Sequence, residues 1–136
     1  MDAFDADVVV YAAMEGHELG GHVRALFAAA RADVAGIGSV LLLPEVLSKP
    51  LHADAHGETE AIMKLLSRLD LRPADEATAT LATSLRASYG LRTVDAIHLA
   101  TAVGAGADRF ITNNRRDFPK SIAEIDITYP DDLELA

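Results

Sequence analysis

Cysteine is absent from this 136-residue chain. No disulfide, thiolate metal site or cysteine nucleophile can be built from it, and the absence fits the reducing cytoplasm, the expected location. Long apolar runs are missing as well, since nothing approaches the roughly 20 residues that a membrane-spanning helix needs. Met1 is followed by Asp2 and Asp5 instead of a basic region and an apolar stretch, which argues against a secretory signal. Positive charge is scarce: 12 Lys and Arg face 21 Asp and Glu, for a net charge of -9. Nucleic-acid affinity comes largely from basic side chains that neutralise phosphates. A nucleic-acid ligand would therefore need a local basic patch or metal ions, whereas a basic protein partner suits the whole surface.

What is present is the composition of a globular protein, with 50% hydrophobic and 24% charged residues. The length matches one ordinary hydrophobic core, so a single domain over 1–136 is expected. Most of the chain alternates helix-like and strand-like patterns. Val8 to Ala13 is β-branched and reads as a strand on propensity alone. Gly20 to Ala32 has one apolar side, Val34 to Ile37 reads as a short buried strand, and Leu43-Pro44-Glu45 opens a helix with proline in its first turn. Lys49 to Gly57, with Pro50 and two histidines, reads as a polar break. Glu58 to Leu69 is a helix, Asp70 to Pro73 a strand, and Asp75 to Tyr89 a helix closed by Gly90. Ile122 to Tyr129 looks like a last edge strand, and the acidic tail Asp131 to Ala136 like solvated surface. Such alternation indicates an α/β fold, three layers deep, around a mostly parallel sheet.

The most informative stretch runs from Leu91 to Phe118. Asp95 falls in the first turns of an amphipathic helix; Arg109 to Thr112 is a short apolar strand; Asn113-Asn114-Arg115-Arg116 is a polar turn leading to Asp117. Helix, turn and strand would bring Asp95 near Asp117 at the carboxyl edge of the sheet, where ligands gather in open α/β folds. Glu45 repeats the pattern of an acid at a helix start close to a strand end. His98 falls on the apolar side of its helix and reads as a packed core residue, while His17, His22, His52 and His56 are scattered and read as surface.

Four ordered segments together resemble the motifs of the PIN domain, a metal-dependent ribonuclease fold represented in prokaryotes by VapC-type toxins. Phe4-Asp5-Ala6-Asp7-Val8-Val9 resembles the first motif, with Asp5 at its acidic position and Ala6 and Asp7 in place of the usual Thr and Asn. Leu43-Pro44-Glu45-Val46-Leu47 resembles the second and Thr93-Val94-Asp95-Ala96-Ile97-His98-Leu99-Ala100 the third. Thr112-Asn113-Asn114-Arg115-Arg116-Asp117-Phe118 is similar to a version of the fourth. The resemblance implies a PIN-like α/β/α fold in which a first strand ends at Asp5 and Val8 to Ala13 is helical. It implies that Asp5, Glu45, Asp95 and Asp117 are catalytic and bind the metal, with Thr112 and Asn114 in support. Asp7 would either join that set or cap the helix, and Arg115 and Arg116 are candidates for contact with substrate phosphates.

Clustered carboxylates raise one another's pKa, a cost that a divalent cation removes. Oxygen ligands suit Mg²⁺, with Mn²⁺ as the alternative. The expected activity is endoribonucleolytic, by metal-activated water. The resemblance further implies a homodimer and a cognate antitoxin with a basic tail. Two rival readings share these residues. Asp5-Ala6-Asp7 also resembles the nucleophile motif of haloacid dehalogenase-type phosphatases, with Asp5 as nucleophile and Asp7 as acid/base. The other rival is a PIN-like binding module with a silent site.

Overall fold

The structure is a computed structural model that describes residues 1–133. Five strands, β1 (Ala3–Phe4), β2 (Gly36–Ser39), β3 (Leu69–Arg72), β4 (Arg109–Ile111) and β5 (Asp126–Thr128), lie among six α-helices of the described residues. The helices are α1 (Ala6–Ala13), α2 (Gly20–Ala29), α3 (Leu42–His52), α4 (His56–Leu66), α5 (Glu76–Tyr89) and α6 (Thr93–Gly104). One sheet results, in the order β3-β2-β1-β4-β5, and all its pairings are parallel.

Alternation of side chains along each strand sends neighbours to opposite faces. Ala3, Ile37 and Phe110 join a cluster with Leu85 of α5 and Leu99 of α6. Phe4 and Ile111 join a second cluster with Val8, Val23, Leu42 and Ile62 from α1 to α4. The sheet is therefore covered on both sides, giving three layers. Strand β1 is central: Ala3 is in register with Ile37 on one side and with Phe110 on the other. The chain builds outward from β1 through β2 to β3, then returns to place β4 against the other side of β1. The junction of β1 and β4 is thus a topological switch point, where a crevice opens beyond the carboxyl ends of the strands.

Local propensity is overruled at Val8 to Ala13, which is helical. A valine costs at most roughly 0.7 kcal/mol relative to alanine in a helix, whereas burying its side chain contributes roughly 1.5 kcal/mol or more. Val8 and Val9 are completely buried, so packing wins. The polar break expected over Lys49 to Gly57 shrinks to Ala53–Ala55, with Asp54 at a φ of 51°. Pro50 lies inside the last turn of α3, where its ring continues the buried face made by Leu42 and Val46 at a spacing of four. The second strand begins two residues later than Val34, which is exposed, and the last strand is only Asp126–Thr128. In the tail, Asp131 and Asp132 are exposed as expected, and Leu133 is not. Pro130–Asp132 forms one turn of 3-10 helix, Asp132 pairs with Lys120, and Leu133 is buried; Glu134, Leu135 and Ala136 lie outside the described residues.

Helices α1 and α2 approach closely at Gly20. A Cβ there would sit 2.9 Å from the carbonyl carbon of Tyr11 and nearer still to its oxygen. Glycine to alanine normally stabilises a helix by about 1 kcal/mol; here the clash is with backbone and reverses the sign. Gly20→Ala is expected to destabilise the protein by about 1–3 kcal/mol, read as a lower urea midpoint. An unchanged or raised midpoint would show that the helices can part without cost.

Candidate active site

The residue after β1 is Asp5, and its position is fixed from both sides of the switch point. It caps α1, with Oδ1 accepting the Ala6 N–H at 2.8 Å, and its Oδ2 accepts the Thr112 hydroxyl at 2.7 Å. Thr112 follows β4 directly and is fully buried; its hydroxyl oxygen also accepts the Asn114 N–H at 3.1 Å. Asp7 makes a second tie, accepting the Val8 N–H at 2.7 Å and the Asn113 N–H at 3.0 Å. Asp5, not Asp7, is therefore the helix cap, and Asp7 holds the loop after β4 against α1.

The other acids arrive on separate elements. Asn114 donates through Nδ2 to Asp117 Oδ2 at 2.9 Å and closes a turn that aims this carboxylate. Glu45 stands in the first turn of α3 and Asp95 in the first turn of α6, where negative charge is favoured by the helix dipole. A cavity of about 440 Å³ is lined by Glu45, Arg92, Thr93, Val94, Asp95 and Asn114. Another of about 440 Å³, between the β3–α5 loop and α6, has Asp75 as its sole acidic lining residue, and that carboxylate caps α5.

Charge couples the cluster. Asp5 is only 5% exposed, and burial raises its pKa, the charge of Asp95 adding to the effect while His98 and the Thr112 and Ala6 hydrogen bonds oppose it. Burial pushes Asp7 up to about 7, helped by the charges of Asp5 and Glu45. Asp95 is raised by burial and then by Asp117 and Glu45, with Arg92 and His98 acting in the opposite direction. The five acids are thus linked pair by pair, Asp95 to Asp5, Glu45 and Asp117, and Asp7 to Asp5 and Glu45.

Two contacts escape a reading of sequence alone. His98 is buried, as its place on the apolar face suggests, yet its Nε2 lies 2.8 Å from Glu45 Oε2. Burial works against the imidazolium, but the Glu45 hydrogen bond and the charges of Asp5, Glu45 and Asp95 outweigh it and raise the His98 pKa. Arg92, just before α6, lies 4.0 Å from Asp95 and 3.8 Å from Asp117. Of the two loop arginines, Arg115 pairs with Asp131 and stands 4.4 Å from the Tyr129 ring centroid, whereas Arg116 is exposed and makes no ion pair among the described residues.

The donors are carboxylate oxygens and suit a hard divalent cation, which would relieve the burial and repulsion that raise Asp5 and Asp95. Among the described residues, no three acidic or imidazole side chains stand ready to ligate one ion together. Glu45 is turned to His98, and the Arg92 guanidinium occupies the approach to Asp95 and Asp117. Ion binding would therefore require side chains to turn, with the backbone left in place.

The architecture defines a parallel α/β protein with a carboxylate-lined crevice at its switch point. A family profile described as PIN domain matches residues 3–123, and the chain belongs to that family. This sets aside the phosphatase reading of Asp5-Ala6-Asp7. Solved structures agree on the fold. The chain is similar to one described as a toxin-antitoxin complex from Klebsiella pneumoniae, with 22% identity, 96% of this chain and 98% of that chain covered, and a TM-score of 0.72. It is also similar to one described as VapBC2 from Rickettsia felis bound to a DNA fragment from their promoter, with 17% identity, coverage of 94% and 97%, and a TM-score of 0.74. No curated protein sequence matches the chain significantly.

The raised pKa of Asp7 makes stability depend on pH. In the unfolded chain this carboxyl titrates near 3.9, roughly, so between that value and about 7 the native state holds a proton that the unfolded state has lost. The stabilisation is complete below the lower value and disappears as pH rises through the upper one. In EDTA, the urea midpoint of the unaltered protein is expected to fall between about pH 5 and pH 8, and to fall less steeply in Asp7→Asn. Parallel curves would contradict the shift.

Proposed function

We propose that this protein is a Mg²⁺-dependent endoribonuclease, with Mn²⁺ as an alternative ion, and the toxin of a toxin–antitoxin pair. The observation that supports the reading is the electrostatic linkage of Asp95, in a PIN domain, to acids from three other parts of the chain, the buried Asp5, Glu45 and Asp117. Asp5, Glu45, Asp95 and Asp117 would hold the metal, directly or through water. Bound there, a divalent ion supplies hydroxide near neutral pH and neutralises charge on the phosphoryl and leaving oxygens.

The chain's own residues prepare that site. Thr112 and the Ala6 N–H fix the two oxygens of Asp5, and Asn114 orients Asp117. Asp7 keeps the β4 loop closed against α1. His98 steadies one oxygen of Glu45. Arg116 is the freer of the two loop arginines for a substrate phosphate; Arg115 would have to leave Asp131.

A partner is supported by charge and by likeness. The net charge of -9 suits a basic segment, and one of the similar structures is described as a toxin-antitoxin complex. We propose a cognate basic antitoxin, a homodimer and a cytoplasmic location for a single domain spanning 1–136. No helix of the described residues is long and apolar enough to cross a membrane.

Asp95 is half-buried at a helix start, so Asp95→Asn is expected to fold normally. It should lose at least about a hundredfold in RNA cleavage with Mg²⁺, in keeping with the several kcal/mol assigned to metal-ion catalysis, and should bind Mg²⁺ more weakly in calorimetry. Full activity from this variant would refute the assignment. Magnesium binding without cleavage of any RNA by the unaltered protein would favour the silent binding module.

A further inference from the structure

We propose that Arg92 is a substrate-phosphate contact of the acidic crevice, and that without metal the same guanidinium stands guard between Asp95 and Asp117. The inference rests on the nuclease reading above and adds to it the residue that would let a strongly acidic protein hold a polyanion at this site.

Among the described residues, Arg92 is the only basic side chain lining the cavity that contains Glu45, Asp95 and Asn114. Its backbone is fixed and its side chain is not. Arg86 donates to the Leu91 carbonyl at 3.1 Å and to the Thr93 hydroxyl at 3.0 Å, bracketing residue 92 on both sides. The side chain itself is 85% exposed, and its ion pairs at 4.0 and 3.8 Å are too long for hydrogen bonds. Exposed pairs of this kind hold a side chain weakly. Several other arginines are committed elsewhere, Arg109 by two bonds to Asp2, Arg68 by three backbone carbonyls and Arg24 by two, and the uncommitted Arg116 does not line this cavity. Arg92 is therefore a cation on a fixed base, with its fork unsatisfied, at the mouth of the crevice.

Two consequences of opposite sign follow. With a divalent ion held by Asp95 and Asp117, the Arg92 guanidinium would be repelled from both carboxylates. Once displaced, the fork is free for bidentate contact with a phosphate, a geometry that lysine's point charge does not reproduce. Removing the side chain should thus tighten the metal and loosen the substrate, an outcome that simple damage to the site would not give.

The test uses the full chain and its Arg92→Gln and Arg92→Lys variants, with MgCl₂ alone in calorimetry and a single-stranded oligoribonucleotide in steady-state cleavage across a salt series. Arg92→Gln is expected to bind Mg²⁺ about threefold or more tightly, since it loses a competing charge at about 4 Å. Its KM should rise about tenfold with kcat changed less, and the salt dependence of log KM should shrink by about 0.7, one single-strand phosphate contact. Arg92→Lys should keep most of the salt dependence and recover only part of the KM. If the unaltered protein binds Mg²⁺ and cleaves the RNA while Arg92→Gln matches it in KM, salt slope and Mg²⁺ affinity, this inference alone is overturned. Tighter Mg²⁺ with an unaltered KM overturns the phosphate contact. An unaltered protein that neither binds Mg²⁺ nor cleaves RNA overturns the nuclease reading, and this inference falls with it.

Discussion

The Asp5 carboxylate is withdrawn from water at the end of the central strand, and much of the surrounding structure can be understood as a response to that burial. Two of its lone pairs are taken by the Ala6 N–H and the Thr112 hydroxyl, which lowers the cost of removing the charge from solvent without cancelling it. Those bonds also tie β1 to β4 across the switch point of the sheet. Asp7 reinforces the tie, and the loop so positioned delivers Asn114 and Asp117. The parallel sheet starts α1 and α3 at the edge where β1 and β2 end, and the start of α6 joins them there, with Glu45, Asp95 and Asn114 lining one cavity.

The same crowding that stresses the fold gives the site its chemistry. Asp5, Glu45, Asp95 and Asp117 each raise a neighbouring acid, so protonation, a basic side chain or a metal ion must relieve the cluster. In the conformation seen, part of that relief comes from His98 against Glu45 and from Arg92 against Asp95 and Asp117. Arg92 is an internal stand-in for positive charge, and His98 is one when protonated. They also show why the net charge of -9 does not forbid a polyanionic substrate: the relevant field is local, and the crevice has a cation at its rim.

The acids were legible as candidates because Asp5, Glu45 and Asp117 each sit where a strand-like run gives way to a helix start or polar turn and Asp95 sits at a helix start, a pattern that survives errors in element boundaries. The α/β alternation was legible for the same reason. Contacts across the chain were not. His98 and Glu45 are 53 positions apart, and nothing in the apolar periodicity of α6 reveals that one histidine nitrogen reaches a carboxylate. Arg92 looks like any residue before a helix. Propensity misjudged Val8 to Ala13 because burial against the sheet outweighs β-branching, and Pro50 looked like a break because its ring's place on the buried face of α3 depends on packing. The exposure of Asp131 and Asp132 was legible, but the burial of Leu133 between them and the end of the chain was not, because its packing comes from the fold.

The central claim is that these carboxylates share a hard divalent cation, and the most direct measurement is anomalous diffraction from a crystal soaked in MnCl₂. The account predicts a peak within coordinating distance of the Asp5 and Asp95 carboxylates, with Glu45 or Arg92 turned from its present partner. A well-occupied Mn²⁺ elsewhere on the molecule, with the crevice empty and Arg92 still against Asp95 and Asp117, would contradict it.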